Sequence, residues 1–568
     1  MKDKTTRWLW QVPGRKKLYI LLLTLIQAVN GATGVVYAML LRGVVDSAVN
    51  GSSHGFRKYI TLLIILTVCQ ILLRAVIRGL TEFSKSSLEN VFKSRLMNTL
   101  LKKDYMRVSA VHSGDWLNRL TNDTKVVADN YTDIIPGLAE MVVKLVSALV
   151  MIIILEPKFA YLFIPGGLLL MCFTWFFRRI LKRMHKEVQE ADGKLRIFLQ
   201  ERIGNMMVIR SFAAEKRTLA DADERMSYHK NRRMRRNLFS NMSNIGFGVA
   251  INGMYLLGVG WCGYGILKGV VTFGTLTAVM QLISQIQMPF ASLTGYLPRY
   301  YSMIASAERL IEAEYFEEDG EEAKTASELE PFYKNLSALE LKNIKFAYYP
   351  PAENAGNITK ADMPVVLNDF SVRLGKGEYV AFTGHSGCGK STVIKLLMCV
   401  LKPDGGERSY VMEDGERGSL TSAYRRLFAY VPQGNALMNG TIREVVSFAD
   451  PDGSGDDERL NEALKVACAH EFVSELEQGL DTLLGERGTG LSEGQMQRLA
   501  IARAVFSRCP VMLLDEATSA LDETTEKQVL ENLRTLNNRT LIIITHRKAA
   551  LEICDRVFAF SESGATEV

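Results

Sequence analysis

Gly384-His385-Ser386-Gly387-Cys388-Gly389-Lys390-Ser391-Thr392 is the stretch whose reading decides the fold. Glycines at 384, 387 and 389 let the backbone turn tightly, so successive N–H groups and the start of a following helix converge on one point, a ready site for phosphate. Lys390 adds a positive charge there, and the Ser391 hydroxyl is placed to ligate Mg²⁺. The flanks agree: Tyr379-Val-Ala-Phe-Thr383 reads as a buried strand just before the loop, and 391–401 as an apolar helix just after it. Strand, phosphate loop and helix in that order predict an α/β domain that binds a nucleoside triphosphate.

Downstream, Val511-Met-Leu-Leu514 is an apolar run ending in Asp515-Glu516, the form of a central strand whose C-terminal end meets a ligand crevice. Asp515 can hold Mg²⁺ through water, and Glu516 can polarise an attacking water as general base. An isolated Asp-Glu pair at a strand end is more often simply solvated. Its place behind a phosphate loop is what points to chemistry.

The first half of the chain has a different character. Six stretches, 18–41, 59–80, 136–155, 159–180, 245–267 and 273–296, are long and apolar enough to cross a hydrocarbon core, which takes about 20 helical residues each. An even number puts both termini on one side, where the nucleotide-binding part requires cytosol. The loops 81–135 and 181–244 then face inward, and they carry the basic residues Arg178, Arg179, Lys182, Arg183 and Lys186, and again Arg232, Arg233, Arg235 and Arg236, as the positive-inside bias demands. The first span is too long for the apolar region of a signal peptide and reads as retained. Ahead of it, Arg7-Trp8-Leu9-Trp10 suits a short interfacial helix with tryptophans at headgroup level. At 568 residues the chain exceeds one ordinary core. Its net charge of +6 is modest, nothing resembles a nucleic-acid-binding face, and eight scattered cysteines read as reduced thiols.

With Leu491-Ser492-Glu493-Gly494-Gln495 between the loop and the carboxylates, the whole chain resembles the ATP-binding cassette (ABC) exporters of the half-transporter kind. That resemblance implies a membrane all-α six-helix transmembrane domain of the type IV exporter fold joined to an α/β P-loop NTPase domain. The expected limits are 1–301 for the membrane domain, 302–336 for a linker with the acidic run 317–322, and 337–568 for the nucleotide-binding domain. It implies ATP and Mg²⁺ as ligands, with Tyr348 stacking on adenine, the loop residues 384–392 around the phosphates, and Ser391, Gln433 and Asp515 at the metal. Glu516, Gln433 and His546 are then the catalytic set. Ser492, Gly494 and Gln495 bind the nucleotide of a second chain, with Asp522 in the dimer-contact loop. Glu493 departs from the family's usual glycine. Segments around Ser113-Gly-Asp115-Trp116 and 204–210 are similar to the two coupling helices, and Glu486-Arg487-Gly488 to a further contact with the membrane domain; between Tyr349 and Pro364 the chain departs from the family with a longer polar insertion, expected to be a surface loop. The closing helix after 557–560 is expected to be short or absent.

The implied function is ATP-driven export of an amphipathic substrate across the cell membrane by alternating access, as a homodimer, with a heterodimer also open and no nucleic-acid partner. An importer built on the exporter fold, for siderophore-like cargo, and an ATP-gated channel or sensor subunit are the alternatives. Within the spans, Gln281, Ser284, Gln285 and Met288 share one helical face, and Arg74, Arg78, Glu140 and Lys144 are charged. These charges either line a watery cavity or pair with one another to hold helices together.

Overall fold

A computed structural model of the chain describes residues 2–349, 363–434, 437–485, 490–536, 538–561 and 564–568. The residues fall into two compact units, one of 1–93 with 122–308 and one of 94–121 with 309–568. Ten helices come first in the chain: α1 (Lys2–Gln11), α2 (Lys17–Val49), α3 (Ser53–Lys102), α4 (Tyr105–Ser109), α5 (Ser113–Asn118), α6 (Thr124–Leu155), α7 (Ala160–Gly204), α8 (Met206–Ser211), α9 (Glu215–Leu267) and α10 (Phe273–Glu312).

To within one residue, each expected span lies inside one of the long helices α2, α3, α6, α7, α9 and α10. Among the described residues, 14–49, 53–102 and 113–155 hold helices long and apolar enough to cross a membrane, and 255–267 and 273–286 are apolar stretches of α9 and α10. The faces of α2 show the sorting that lipid imposes. Leu18, Leu21, Leu22 and Leu25 are exposed, whereas Leu23, Gly31, Val35 and Ala38 turn inward. Gly31 is where α2 meets α6, since a Cβ there would stand 2.7 Å from the Glu140 carbonyl oxygen. In α1, Trp8 is buried and stacks on Phe92 with ring centroids 5.5 Å apart, while Trp10 is exposed beneath the Lys17 ammonium. Only Trp10 is thus free to meet headgroups. Two residues apart on a helix point to opposite sides.

The second unit adds, in chain order, α11 (Ala326–Lys334), β1 (Leu336–Ala347), β2 (Val365–Gly375), β3 (Tyr379–Thr383), α12 (Lys390–Leu397), β4 (Gly405–Met412), β5 (Arg417–Ser419), β6 (Phe428–Val431), β7 (Gly440–Thr441) and α13 (Ile442–Val446). There follow α14 (Asp457–Val466), α15 (His470–Glu475), β8 (Leu483–Leu484), α16 (Glu493–Phe506), β9 (Val511–Asp515), α17 (Glu523–Arg534), β10 (Thr540–Ile544), α18 (Lys548–Glu552), β11 (Arg556–Ser561) and β12 (Gly564–Glu567). The main sheet has the order β12-β11-β3-β10-β9-β6, with β11, β3, β10, β9 and β6 parallel and β12 antiparallel at the edge. Its central strands β3, β10 and β9 are buried on both faces and separate two cores. Met512, Leu514, Leu541 and Ile543 point into one, Val511, Leu513, Ile542 and Ile544 into the other.

Helix α12 stops at Leu397, four residues before the expected end. Cys399 adopts φ +58°, its N–H bonds to the Leu396 carbonyl at 3.1 Å, and Val400 N–H reaches back to Lys395 at 3.0 Å. This left-handed terminus caps the last carbonyls and turns the chain away. The acidic run is not a loose tether. Residues 102–104 and 317–319 pair as a short antiparallel bridge, Asp104 N–H to the Glu317 carbonyl and Asp319 N–H to that of Lys102, both at 2.9 Å. Asp319 also meets Arg425 at 2.6 Å.

Replacing Gly31 by valine is expected to destabilise the chain by about 1–3 kcal/mol, the usual effect of overpacking a close helix contact, whereas Gly79→Ala, with open space around it, is expected to stay within about 0.5 kcal/mol. Thermal unfolding of the detergent-solubilised chain followed by circular dichroism checks this.

Candidate functional site

Parallel pairing delivers the expected residues to one edge of the main sheet. Phe382 and Asp515 both register with Ile544, and Leu514 with Val431. The segments that leave the C-terminal ends of β3, β10, β9 and β6 therefore emerge side by side, at the place where open α/β sheets bind ligands. They carry, in turn, the phosphate loop, His546, Glu516 and Gln433.

In the loop, Gly384, Gly387 and Gly389 have φ of +129°, +87° and +97°. A Cβ at Gly384 would lie 2.4 Å from the Phe560 carbonyl oxygen, and Gly389 is the N-terminal cap of α12, so larger residues are excluded at both. Lys390 is buried, and its ammonium donates to the carbonyls of Gly384 and, at 2.8 Å, of His385. The charge thus sits in the mouth of its own loop. Ser386 and Cys388 complete the turn, and the Cys388 sulfur lies 3.6 Å from the Lys390 nitrogen.

Asp515 is buried, with the Ser391 hydroxyl donating to one carboxylate oxygen at 3.0 Å and the Tyr430 hydroxyl to the other at 3.1 Å. Burial pushes the Asp515 carboxyl above its ordinary value against the opposing pull of those two bonds, and burial beside Asp515 likewise raises the Tyr430 phenol. Next in the chain, Glu516 takes φ +50°, a left-handed backbone uncommon for a residue with a side chain, and its N–H bonds to the Ile544 carbonyl at 3.2 Å. The turn aims the carboxylate at Gln433, whose amide donates to it at 2.7 Å. His546 is exposed in the loop after β10. Tyr348 shares a 2.9 Å hydrogen bond with Thr392 on the first turn of α12, which ties the expected adenine-stacking ring to the phosphate loop.

The LSEGQ residues form a second group. Ser492 caps α16 through Gln495 N–H, and the Gln495 side chain returns a 2.8 Å bond to Ser492 N–H. Gly494 packs against the 519–522 loop, where a Cβ would meet the Ala520 carbonyl at 2.9 Å. Asp522 caps α17 through Thr525 N–H at 2.9 Å, and that bond holds its carboxyl below the usual range. Glu493 is exposed on the first turn of α16. No hydrogen bond among the described residues joins this group to the phosphate loop.

Two bracing residues had no sequence signal. Gln497 bonds Ser519 and Ala520, and Arg547 grips the carbonyls of Ser519 and Leu521 together with the buried Glu526, so the loop before α17 is fixed from both sides. Neither follows from spacing, because each acts across a tertiary contact. Of the expected coupling segments, Ser113–Asn118 forms α5, and Met106 on the preceding α4 is buried in the same core as β1 and α12. Arg107 lays its guanidinium 3.8 Å from the centre of the Tyr349 ring, beside Tyr348. Residues 204–210 end α7 and enter α8. Glu486-Arg487-Gly488 and most of the insertion between 349 and 364 lie outside the described residues.

Known proteins share both the pattern and the fold. The sequence pattern of the ABC transporter transmembrane region matches residues 20–290, and that of a second family, described as ABC transporter, residues 367–519. YgaD of Bacillus subtilis, which carries the name multidrug export ATP-binding/permease protein, is 26% identical over 569 residues, covering 98% of this chain and 94% of that protein. A Staphylococcus aureus protein named in the same way is 27% identical over 550 residues, 93% of this chain and 90% of its own. A bacterial Atm1-family ABC exporter, solved with ATP bound, superposes with a TM-score of 0.77 at 21% identity over 98% of this chain and 95% of that one. A helical membrane unit with the exporter fold, fused to a sheet whose strand ends gather a phosphate loop, two carboxylates and a glutamine, makes this chain a member of the ABC transporter family.

Proposed function

We propose that the chain is an ATP-driven exporter, working as a pair of identical chains that move an amphipathic substrate across the cell membrane by alternating access. The observation that carries this reading is the meeting of Lys390, Ser391, Asp515, Glu516 and Gln433 at one sheet edge in a chain that also holds the membrane helices. Functionally, residues 1–301 form the membrane part, 302–336 the link and 337–568 the nucleotide-binding part, which faces the cytosol together with both termini.

ATP is the substrate of the hydrolytic step. The loop 384–392 and Lys390 bind and orient its phosphates, and Tyr348 stacks on its base. An all-oxygen donor set of the Ser391 hydroxyl, the Asp515 carboxylate and the Gln433 amide suits a hard cation, so these three would hold Mg²⁺, which neutralises phosphate charge when bound. Glu516 takes the proton of the attacking water, His546 steadies the terminal phosphate from the end of β10, and Gln433 positions Glu516. Ser492, Gly494 and Gln495 act on the nucleotide of the partner chain, with Asp522 in the loop between the two chains.

The need for a partner finds support in α8 and the turn after it. Met207 is 86% and Phe212 79% exposed there, with Met206 and Val208 exposed beside them. An apolar tip of this size on a helix outside the spans fits a surface covered by assembly.

Glu516→Gln keeps the shape of the side chain and loses its basicity, so Mg-ATP binding is expected to persist while turnover falls by a factor of about 10²–10⁴. Lys390→Ala removes a charge aimed at the phosphates and is expected to weaken nucleotide binding itself by a factor of about 10 to 100. Fluorescence titration of nucleotide beside phosphate-release assays on the reconstituted chain separates the two, and near-normal hydrolysis by Glu516→Gln would sink the general-base assignment.

Assembly has its own test. Mixing Glu516→Gln chains with Ser492→Ala chains is expected to recover part of the ATPase activity, because a hybrid of identical chains collects both defects in one composite site and leaves the other intact. A purified chain that stays monomeric and inactive in lipid until a different cassette chain is added would show the pair to be heterologous. ATP-dependent accumulation in inside-out vesicles gives the direction, and efflux from them would favour import.

A further inference from the structure

The membrane unit holds charges that its own contacts do not use. Along α3, Gln70, Arg74 and Arg78 recur at intervals of four and Lys85 follows Arg78 by seven, which places all four on one side of the helix. Both ends of this stripe are docked. Gln70 donates to the Thr33 hydroxyl of α2 at 3.0 Å, and Lys85 lies 3.0 Å from Asp133 of α6. The stripe therefore looks toward α2 and α6, while Ile65, Val68, Leu72 and Val76 expose apolar surface on the other side of α3.

Arg74 and Arg78 sit between the docked ends, within the expected span 59–80, exposed and without a partner among the described residues. Lys144 of α6 is also without one. Its neighbour one turn back, Glu140, is held by the Asn30 amide at 2.8 Å rather than by the lysine. At the inner end Asp133 is shared by Lys85 and, at 4.0 Å, Arg299. The polar face of α10 is likewise partly used up, since Gln285 is buried and donates to the Gly34 carbonyl of α2 at 2.7 Å. Of the four charged span residues singled out in the sequence, Glu140 is engaged, while Arg74, Arg78 and Lys144 have no partner among the described residues.

We propose that Arg74 and Arg78 form an anion-binding site in the membrane unit, supported by Lys144, which follows Asp133 on α6 by as many residues as Arg74 precedes Lys85 on α3, and that the cargo is an amphiphile carrying a carboxylate, sulfonate or phosphate beside an apolar body. This deepens the export reading and rests on it for the word cargo. Two guanidinium groups one turn apart offer forked donors that match a planar or tetrahedral oxyanion, and neither can shed its charge in an apolar setting. Intramembrane charges of one sign with no internal counter-charge call for one from outside. Exposed Ile71, adjoining the arginines, meets the apolar body.

The test is an equilibrium titration of the full chain in phosphatidylcholine nanodiscs, without ATP, by fluorescence anisotropy of two size-matched probes, pyrenebutanoate and pyrenebutyl-trimethylammonium. The anion is expected to bind about tenfold more tightly than the cation, the effect of one charge-assisted contact, and Arg74→Gln with Arg78→Gln is expected to erase the difference. Arg74→Lys with Arg78→Lys, which keeps both charges, is expected to retain most of it, and this pair together with Lys144→Gln decides the matter should the glutamine pair fail to fold. Equal affinities, a preference for the cation, or anion binding untouched by neutralisation would overturn the assignment. Adding phosphatidylglycerol distinguishes the source of the anion: displacement of the probe identifies a membrane lipid, its persistence a soluble amphiphile, and both keep the anionic class. Vesicle accumulation is measured separately, and an anion preference without ATP-driven movement would refute export while upholding the site.

Discussion

Everything at the site depends on the parallel register of β3, β10, β9 and β6. These strands run in one direction and pair without a shift, so segments far apart in sequence reach the same edge. The register is held by packing on both faces. Alternate residues of β3, β9 and β10 belong to two different cores, so a slip of one residue would exchange every side chain between them. Such a slip would also turn Asp515 away from Ser391 and Tyr430. Burial of the strands and placement of the carboxylate are one constraint.

Much of the site was legible because its chemistry needs contiguous residues. A phosphate loop must place its glycines, lysine and serine within one turn of strand and helix, and two carboxylates at the end of an apolar run announce a strand entering a crevice. The strand 379–383 stands where the pattern put it, and the spans fall within long helices because hydrophobic length is itself the signal. Other features are set by contacts that no local window contains. The end of α12 depends on Cys399 accepting a left-handed conformation, Trp8 is drawn from the interface by Phe92, and Gln497 and Arg547 act through the loop 519–522. The acidic run expected in the linker likewise takes its place from pairing with 102–104 and Arg425, which its charge pattern does not encode.

That pairing bears on how nucleotide binding can be felt elsewhere. The stretch 94–121 clusters with the nucleotide-binding part although it begins on the same helix as the first unit, α3. Met106 is buried in the core that also takes β1 and α12, and Arg107 covers Tyr349, one residue from the ring assigned to adenine. Arg119 ties α5 to α10 through Glu312 at 2.8 Å, and Arg95 ties α3 to Glu314 by two bonds. The Val108 carbonyl accepts the Trp116 indole N–H at 2.9 Å and Arg119 lies over that ring, so packed side chains run from Tyr349 to the end of α10, the contiguous network that coupling would need.

The polar groups of the site satisfy one another. Lys390 is bound by loop carbonyls, Ser391 and Tyr430 share Asp515, and Gln433 holds Glu516. Entry of a triphosphate exchanges these bonds for new ones, so its affinity is a difference between two satisfied networks rather than a sum of contacts. The same logic governs Glu516. Its carboxylate accepts the Gln433 amide N–H through one oxygen, which orients the group and leaves the other oxygen to take a proton. If the Gln433 amide oxygen holds the metal as proposed, its N–H can stay on Glu516, so one side chain would link the cation to the base, beside the left-handed φ that fixes where the Glu516 side chain leaves the backbone.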